Sequence, residues 1–290
     1  YAGKVLYKYK GTMPKNTSIT IKEGTLGIGS GAFEDCTGLE YNEYENAYYI
    51  GNESNPYLVL ACAKSTDITS CTVHANTRFI LYSAFENCTG LTSVVIGNGV
   101  TSIGDYAFSG CDSLTSVVIG DGVTSISESA FRSCAKLETV VIGDSVTTIG
   151  ENAFYYCSKL ASLTIGDSVT TIGKSAFYNC SSLKELTIPN SVEIIGNSAF
   201  YNCDTLNSIS MGSGIKSIGE SAFDVYSWDI TLSLYINDLA SWCNIDFDYG
   251  DYSILYYRYS NPLSITNFCN FFISTSISLL FFILSLNISS

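Results

Sequence analysis

Six cysteines recur at one interval of 23 residues: Cys88, Cys111, Cys134, Cys157, Cys180 and Cys203, each three residues after a phenylalanine. Cys36 holds the same place in an earlier copy. Thiols at regular spacing can bridge, bind a soft metal or act as nucleophiles. Zinc sites need ligands gathered at close spacing, and no His or carboxylate accompanies this column. Disulfide frameworks of small secreted folds use irregular spacings in shorter chains. Equivalent positions in a stack point into one core layer, where a free thiol packs as a small hydrophobe. The expectation is therefore a column of buried, unpaired thiols. Cys62 and Cys71 sit where a pairing across neighbouring strands can be drawn, with two buried thiols as the simpler reading.

The remaining chemistry-bearing residues are sparse. His74 is the only histidine; it lies in "CTVHANT" with no Ser, Cys or Asp at a recognisable catalytic spacing, and a solvated side chain is expected. "GIGSGAF" at 27–33 lacks the G-x-G-x-x-G spacing of a phosphate-binding turn. Asp121, Asp144 and Asp167 form a column at turns. Calcium wants six to eight oxygens, so one carboxylate per turn is expected to be a turn residue. Thr101-Ser102, Thr124-Ser125, Thr147-Thr148 and Thr170-Thr171 line up as a hydroxyl edge, faintly like the flat arrays of ice-binding solenoids, until Glu193-Ile194 ends it. Sequons stand at Asn16, Asn52, Asn87, Asn179 and Asn287, and matter in a host that glycosylates. No zinc motif or P-loop is present. The chain reads as no enzyme, with no cofactor and no metal.

What positions all these residues is a repeat. Phe85, Phe108, Phe131, Phe154, Phe177, Phe200 and Phe223 stand 23 apart, and a further copy centres on Phe33. A fixed period in the twenties marks a solenoid whose units cannot bury their cores alone. Within one unit, Leu137, Val140 and Ile142 form a short strand with Val140 and Ile142 pointing inward. Gly143-Asp144-Ser145 turns the chain. Val146 and Ile149 make a second inward pair. Glu151 to Tyr156 reads as a turn of α- or 3₁₀-helix that buries Ala153 and Phe154, and Cys157 closes the core. One copy cannot repay the entropy of ordering its own residues, so stacking on an identical neighbour must supply the difference.

The pattern L-x-x-V-x-I-G-D-x-V-T-x-I-G-x-x-A-F-x-x-C resembles the BspA-type leucine-rich repeat family over residues 16–39 and 68–226. The resemblance implies a bacterial or protist surface or secreted protein that acts in adhesion or binding. The fold class that follows is a β-rich repeat solenoid, a leucine-rich-repeat-like stack of short parallel strands with helical or 3₁₀ turns.

Departures from the rhythm set the expected boundaries. Residues 1–39 carry an N-terminal segment and the first repeat. Residues 40–67 insert a β-hairpin around a Gly51–Pro56 loop. Residues 68–226 hold the contiguous repeats. Residues 227–262 read as strand, short helix with Trp242 and Cys243, then strand, similar to the non-repeat spacers of the family. Residues 263–290 form an apolar tail. No charge occurs from Tyr259 to Ser290, and Phe268–Leu286 is long enough to span a bilayer. Asn270, several Ser/Thr and the missing Lys/Arg flank weigh against insertion. Two readings of the tail stand: a transmembrane segment, or read-through foreign to the native frame. Beginning at Tyr1, the sequence reads as a processed chain or a fragment.

The formal net charge of −13 argues against nucleic acid and anionic membrane surfaces as partners. Membrane contact is expected only through residues 268–286. A protein partner, on a host or cell surface, is expected for a chain that is extracellular or surface-bound. The competing readings are a spacer without its own ligand and an accessory region of a larger secreted protein. Two surfaces are candidates for the partner. On the strand side, Val95, Val118 and Val141 stack in line beside Ser116, Thr139 and Thr164, and an exposed apolar stripe marks an interface. On the opposite, turn side stand Tyr155, Tyr178 and Tyr201, either a binding column or packing over the phenylalanines.

Overall fold

The computed structural model describes residues 39–224 without a break, residues 233–242 and 244–247, and scattered positions between 5 and 33. Each 23-residue unit makes one coil that crosses two parallel sheets. On the front, the strands Ser70–Thr72, Ser93–Val95, Ser116–Ile119, Thr139–Ile142 and Ser162–Thr164 form a five-stranded sheet. The strands Glu185–Thr187, Ser208–Met211 and Ser233–Ile236 form a separate three-stranded one. Behind them runs an eleven-stranded sheet that includes Ser102–Ile103, Ser125–Ile126, Thr148–Ile149 and Thr171–Ile172. Pairing is in register with the repeat: Val117 faces Val140, and Ile126 faces Ile149.

Alternation sets what is buried. Val140, Ile142, Val146, Ile149, Ala153, Phe154 and Cys157 all lie in the core, as the repeat dictates. The seven phenylalanines stack in one column, with neighbouring centroids 5.1–5.3 Å apart and planes within 6° of parallel. That separation follows from the strand spacing of about 4.8 Å, which every stacked position inherits.

The third side of the coil corrects the sequence reading. Glu151 to Tyr156 is not helical; the four residues Leu239–Trp242 are the only α-helix among the described residues. Asn152 and Tyr156 sit in the left-handed region, at φ 55° and 61°. This turns alternate N–H groups along the stack. Asn152, Phe154 and Tyr156 donate to the carbonyls of Lys174, Ala176 and Tyr178 in the next coil, at 2.9, 2.7 and 2.8 Å. The residues between them close three-residue turns, Tyr155 N–H to Asn152 O and Cys157 N–H to Phe154 O. In a helix these N–H groups would all point along the helix axis, and none would reach sideways to the next coil. The stack instead gains a third ladder between coils.

In the insert, Ala47–Ile50 runs antiparallel to Val59–Ala63, with Asn42–Tyr44 added outside it. It does not stand apart from the solenoid. Val59 and Leu60 pair in parallel with Phe79 and Ile80, so the hairpin extends the rear sheet. The turn Glu45-Asn46, which joins Asn42–Tyr44 to Ala47–Ile50, also caps the first front strand: Thr72 N–H donates to Glu45 Oε2 (3.0 Å) and Asn46 Nδ2 donates to Ser70 O (2.8 Å). An open edge of this kind otherwise invites pairing with another chain.

The segment expected to be a spacer continues the stack. Ser233–Ile236 pairs in parallel with Ser208–Met211, and Asp246–Phe247 with Ser217–Ile218. Trp242 is buried in the core and meets Phe247 edge-on at 5.8 Å. The repeat spelling fails here, yet the coil persists because Trp242 fills the interior. The apolar stretch 268–286 and the rest of 263–290 lie outside the described residues. Among the described residues no helix is long and apolar enough to cross a membrane.

The front sheet divides between Ser162–Thr164 and Glu185–Thr187, which do not pair. Gly143 N–H donates to Ile119 O at 3.0 Å, a rung of the front ladder. Pro189 occupies the equivalent place two coils on and has no N–H to give.

Candidate functional site

The front sheet gathers the strand-side candidates. Inward Val94, Val117 and Val140 fix the pleat, so the residues on either side of them face solvent. Ser70 pairs with Ser93, Ser93 with Ser116, Ser116 with Thr139 and Thr139 with Ser162, a rank of hydroxyls across five strands. The next outward rank runs Thr72, Val95, Val118, Val141, Thr164. Val95 is 61% exposed and Val118 59%, while Val141 is half-buried. The three valines make an apolar ridge roughly 10 Å long, closed by a threonine at each end. None of these ten outward positions is charged. Charge begins at Glu185, on the far side of the sheet break.

The tyrosine candidates are on the turn side, away from that ridge. Tyr155 stacks on Tyr178 at 4.8 Å and Tyr178 on Tyr201 at 4.9 Å. The Arg132 guanidinium caps the column, 4.8 Å from the Tyr155 ring. Burial, helped by the neighbouring Tyr156, raises the Tyr155 hydroxyl above its ordinary pKa. These rings are half-buried and cover one another's faces. The column offers edges and hydroxyls to a partner, not a flat aromatic platform; only Tyr156, 45% exposed beside it, leaves an open surface.

The other columns are accounted for by bonds between coils. Hydroxyls of Thr101, Thr124, Thr147 and Thr170 each donate to a carbonyl one coil earlier, at 2.9–3.4 Å. They hold the stack together and are not free for an ice-like array. Asn98 Oδ1 accepts the Asp121 N–H (3.3 Å) and Asp144 Oδ1 the Asp167 N–H (3.1 Å), so this column is a chain of turn acceptors. Among the described residues no group of three or more His, Cys, Asp or Glu is placed to hold a metal ion.

The eight described cysteines are all unpaired, Cys62 half-buried and the rest buried. The thiols of the repeat column have partners: Cys111, Cys134 and Cys157 Sγ donate to the carbonyls of Phe85, Phe108 and Phe131, all at 3.2 Å. Burial pushes the Cys88 thiol up to about 11 and holds Cys111, Cys134 and Cys180 well above the ordinary thiol value. Such thiols are poor nucleophiles.

His74 departs from expectation. Its ring is not in solvent but stacked on Tyr57 at 4.1 Å, with Tyr44 edge-on at 4.8 Å. Nδ1 accepts the Asn76 N–H (3.1 Å), and the His74 N–H donates to Tyr49 Oη (3.3 Å). The cluster pins the hairpin to the first full coil. Its signal was the tyrosine-rich wording of the insert, which spacing alone did not connect to His74.

The BspA type leucine rich repeat region matches in six copies, over residues 7–56, 59–184 and 147–243. The chain belongs to this family. Among solved structures, a BspA-type stack of this kind is similar to a leucine-rich repeat protein of Eubacterium ventriosum, at TM-score 0.58 and 23% identity, covering 76% of this chain and 64% of that one. It is also similar to the leucine-rich repeat protein of T. pallidum, at TM-score 0.50 and 21% identity, covering 72% and 86% respectively. A leucine-rich cell surface protein of Faecalibacterium prausnitzii aligns at TM-score 0.49 and 24% identity over 79% of this chain and 62% of its own. At these identities the likeness to the first two shows a shared fold. No curated protein matches the chain. The BspA-type repeats thus account for the coils.

Proposed function

We propose that this BspA-type repeat protein is a non-enzymatic binding module of a cell surface or secreted protein, and that the front sheet is where a protein partner docks. The observation that carries the proposal is the run of ten uncharged outward positions around exposed Val95 and Val118, in a chain of formal net charge −13. An apolar centre, a hydroxyl rim and depletion of charge are the composition of interface cores. The valines gain nothing from facing water, and a bare spacer has no use for them. Ser116, Thr139 and Thr164 stand ready to bond a partner's polar groups beside the ridge.

The test is a paired substitution, Val118→Asp with Val141→Asp, against Tyr178→Asp as control, with binding measured to host extracellular proteins and intact cells. Loss of binding by the valine pair alone supports the front sheet. Loss by Tyr178→Asp alone moves the site to the turn side. An unmutated protein that binds nothing across a broad screen leaves the spacer reading in its place.

A further inference from the structure

Three sequons lie among the described residues, and the fold treats them differently. At Asn52, Nδ2 donates to Ile21 O (2.9 Å), while Oδ1 accepts from Ser54 Oγ (2.7 Å) and the Asn55 N–H (2.8 Å). Both the acceptor amide and its required hydroxyl are consumed in closing the loop. At Asn179 the carboxamide is in contact with that of Asn202 in the next coil, at 2.6 Å. The hydroxyl of its sequon, Ser181, donates to Ser158 O (3.3 Å). A glycan there would have to leave from between two coils.

Asn87 has the opposite surroundings. Asn87 and Thr89 are both exposed, with Cys88 between them turned into the core. The backbone at Asn87 is left-handed, φ 57°, as it is at Asn179, φ 59°, so the turn itself does not separate the two. What stands over it in the next coil is decisive. The equivalent positions in later coils carry Ser133, Tyr156, Asn179 and Asn202, but over Asn87 the chain has Gly110. A Cβ at Gly110 would come within 2.5 Å of Asn87 Oδ1, so the carboxamide occupies the space that this glycine leaves open.

We propose that Asn87 is an N-glycosylation site and the one described sequon whose glycan the folded stack accepts. The donor is an oligosaccharide carried on a lipid pyrophosphate. Asn87 Nδ2 attacks its anomeric carbon, the bond from that carbon to the pyrophosphate oxygen breaks, and the carboxamide proton passes to a base of the transferase. The Thr89 hydroxyl supplies the third residue of the acceptor motif. The glycan projects from the turn side and leaves the front sheet uncovered.

The full chain secreted from cultured eukaryotic cells gives the test, with folded monomer separated and its sites mapped by deglycosylation in heavy-oxygen water. The expected result is Asn87 labelled in most molecules, at least several-fold above Asn52 and Asn179. Asn87→Gln should remove the corresponding mass and leave the thermal midpoint of the enzymatically deglycosylated protein unchanged. Asn87 unlabelled in the folded fraction, or Asn52 and Asn179 labelled as fully as Asn87, overturns the assignment.

Discussion

The Cys157 thiol donates to the carbonyl oxygen of Phe131, one coil back, at 3.2 Å. The bond ties the cysteine column to the phenylalanine column, and it works only while the thiol keeps its proton. Each cysteine of the column from Cys88 to Cys203 is therefore a core residue with one satisfied polar contact, and its chemistry is suppressed by its position.

Alkylation should report this directly. Native protein is expected to react slowly with a thiol reagent, while denatured protein reacts at nearly all eleven cysteines of the sequence without prior reduction. Mass shifts that reveal several disulfides after reduction would contradict the unpaired column.

The same thiols impose a pH dependence. In the unfolded chain a cysteine ionises near its ordinary value of 9.0, whereas burial holds Cys88 protonated up to about 11. Between those values the unfolded state binds fewer protons than the folded one, so stability falls as pH rises. The contribution is fully present below 9.0 and lost progressively toward about 11. Denaturant midpoints should decline across that window, and the decline should be shallower in Cys88→Ala. A slope identical in the variant would remove Cys88 as a cause.

Phe154→Ala should cost about 3–5 kcal/mol, the usual penalty for emptying a large core site. Because coils couple to their neighbours, amide exchange should quicken around Phe131 and Phe177 as well as around residue 154. A cost under about 1 kcal/mol would be incompatible with the stacked column.

Adjacent residues on one strand should give opposite outcomes. Val117 is buried at 1% exposure and Val118 is exposed at 59%. Val117→Asp places an unpaired charge in the core and should unfold the middle coils. Val118→Asp should change stability by no more than about 0.5 kcal/mol. Thermal unfolding of the two variants decides it; equal losses would mean that the front face is already covered in the isolated chain.

Gly110→Ala should destabilise by about 1–2 kcal/mol, the cost of putting a side chain in the left-handed region. Ser133→Gly, at the equivalent place one coil later with φ 57°, should be neutral or stabilising. Chemical denaturation of both variants measures the pair; a neutral Gly110→Ala would show that the turn can relax.

Much of this was legible in the sequence because one spacing governs everything that points inward. Apolar residues recur at the places of Val140 and Ile142, and Phe154 and Cys157 recur from coil to coil up to Phe200 and Cys203, so their burial and stacking follow from the period alone. The turn side was misjudged because Ala153, Phe154 and Cys157 also satisfy a helical spacing. The distinguishing residues, Asn152 and Tyr156, carry their information in a backbone sign that residue type only hints at. The last coil was hidden for a different reason. Ser208 pairs with Ser233 and Ser217 with Asp246, offsets longer than 23, and the helix Leu239–Trp242 falls within the second, longer one. The His74 cluster draws Tyr44, Tyr49 and Tyr57 from the insert, so no local pattern announces it. Alternation along each strand puts the front-face candidates in line, but the choice between that face and the tyrosines turns on exposure, which a repeat pattern does not encode.

The missing rung at Pro189 gives the array a mechanical character. Neighbouring coils before and after it are joined by three ladders, at the front sheet, the rear sheet and the turns. Across the gap between Ser162–Thr164 and Glu185–Thr187 only two remain, the Thr171–Ile194 pairing and the bonds from Ser175 and Phe177 to Asn197 and Ala199. Tension applied along the stack meets fewer backbone bonds at this junction than at the junctions on either side of it. Pulled along its length, the central array would part at this seam from the front, while the coils from Ser70 to Thr164 kept their valine ridge whole.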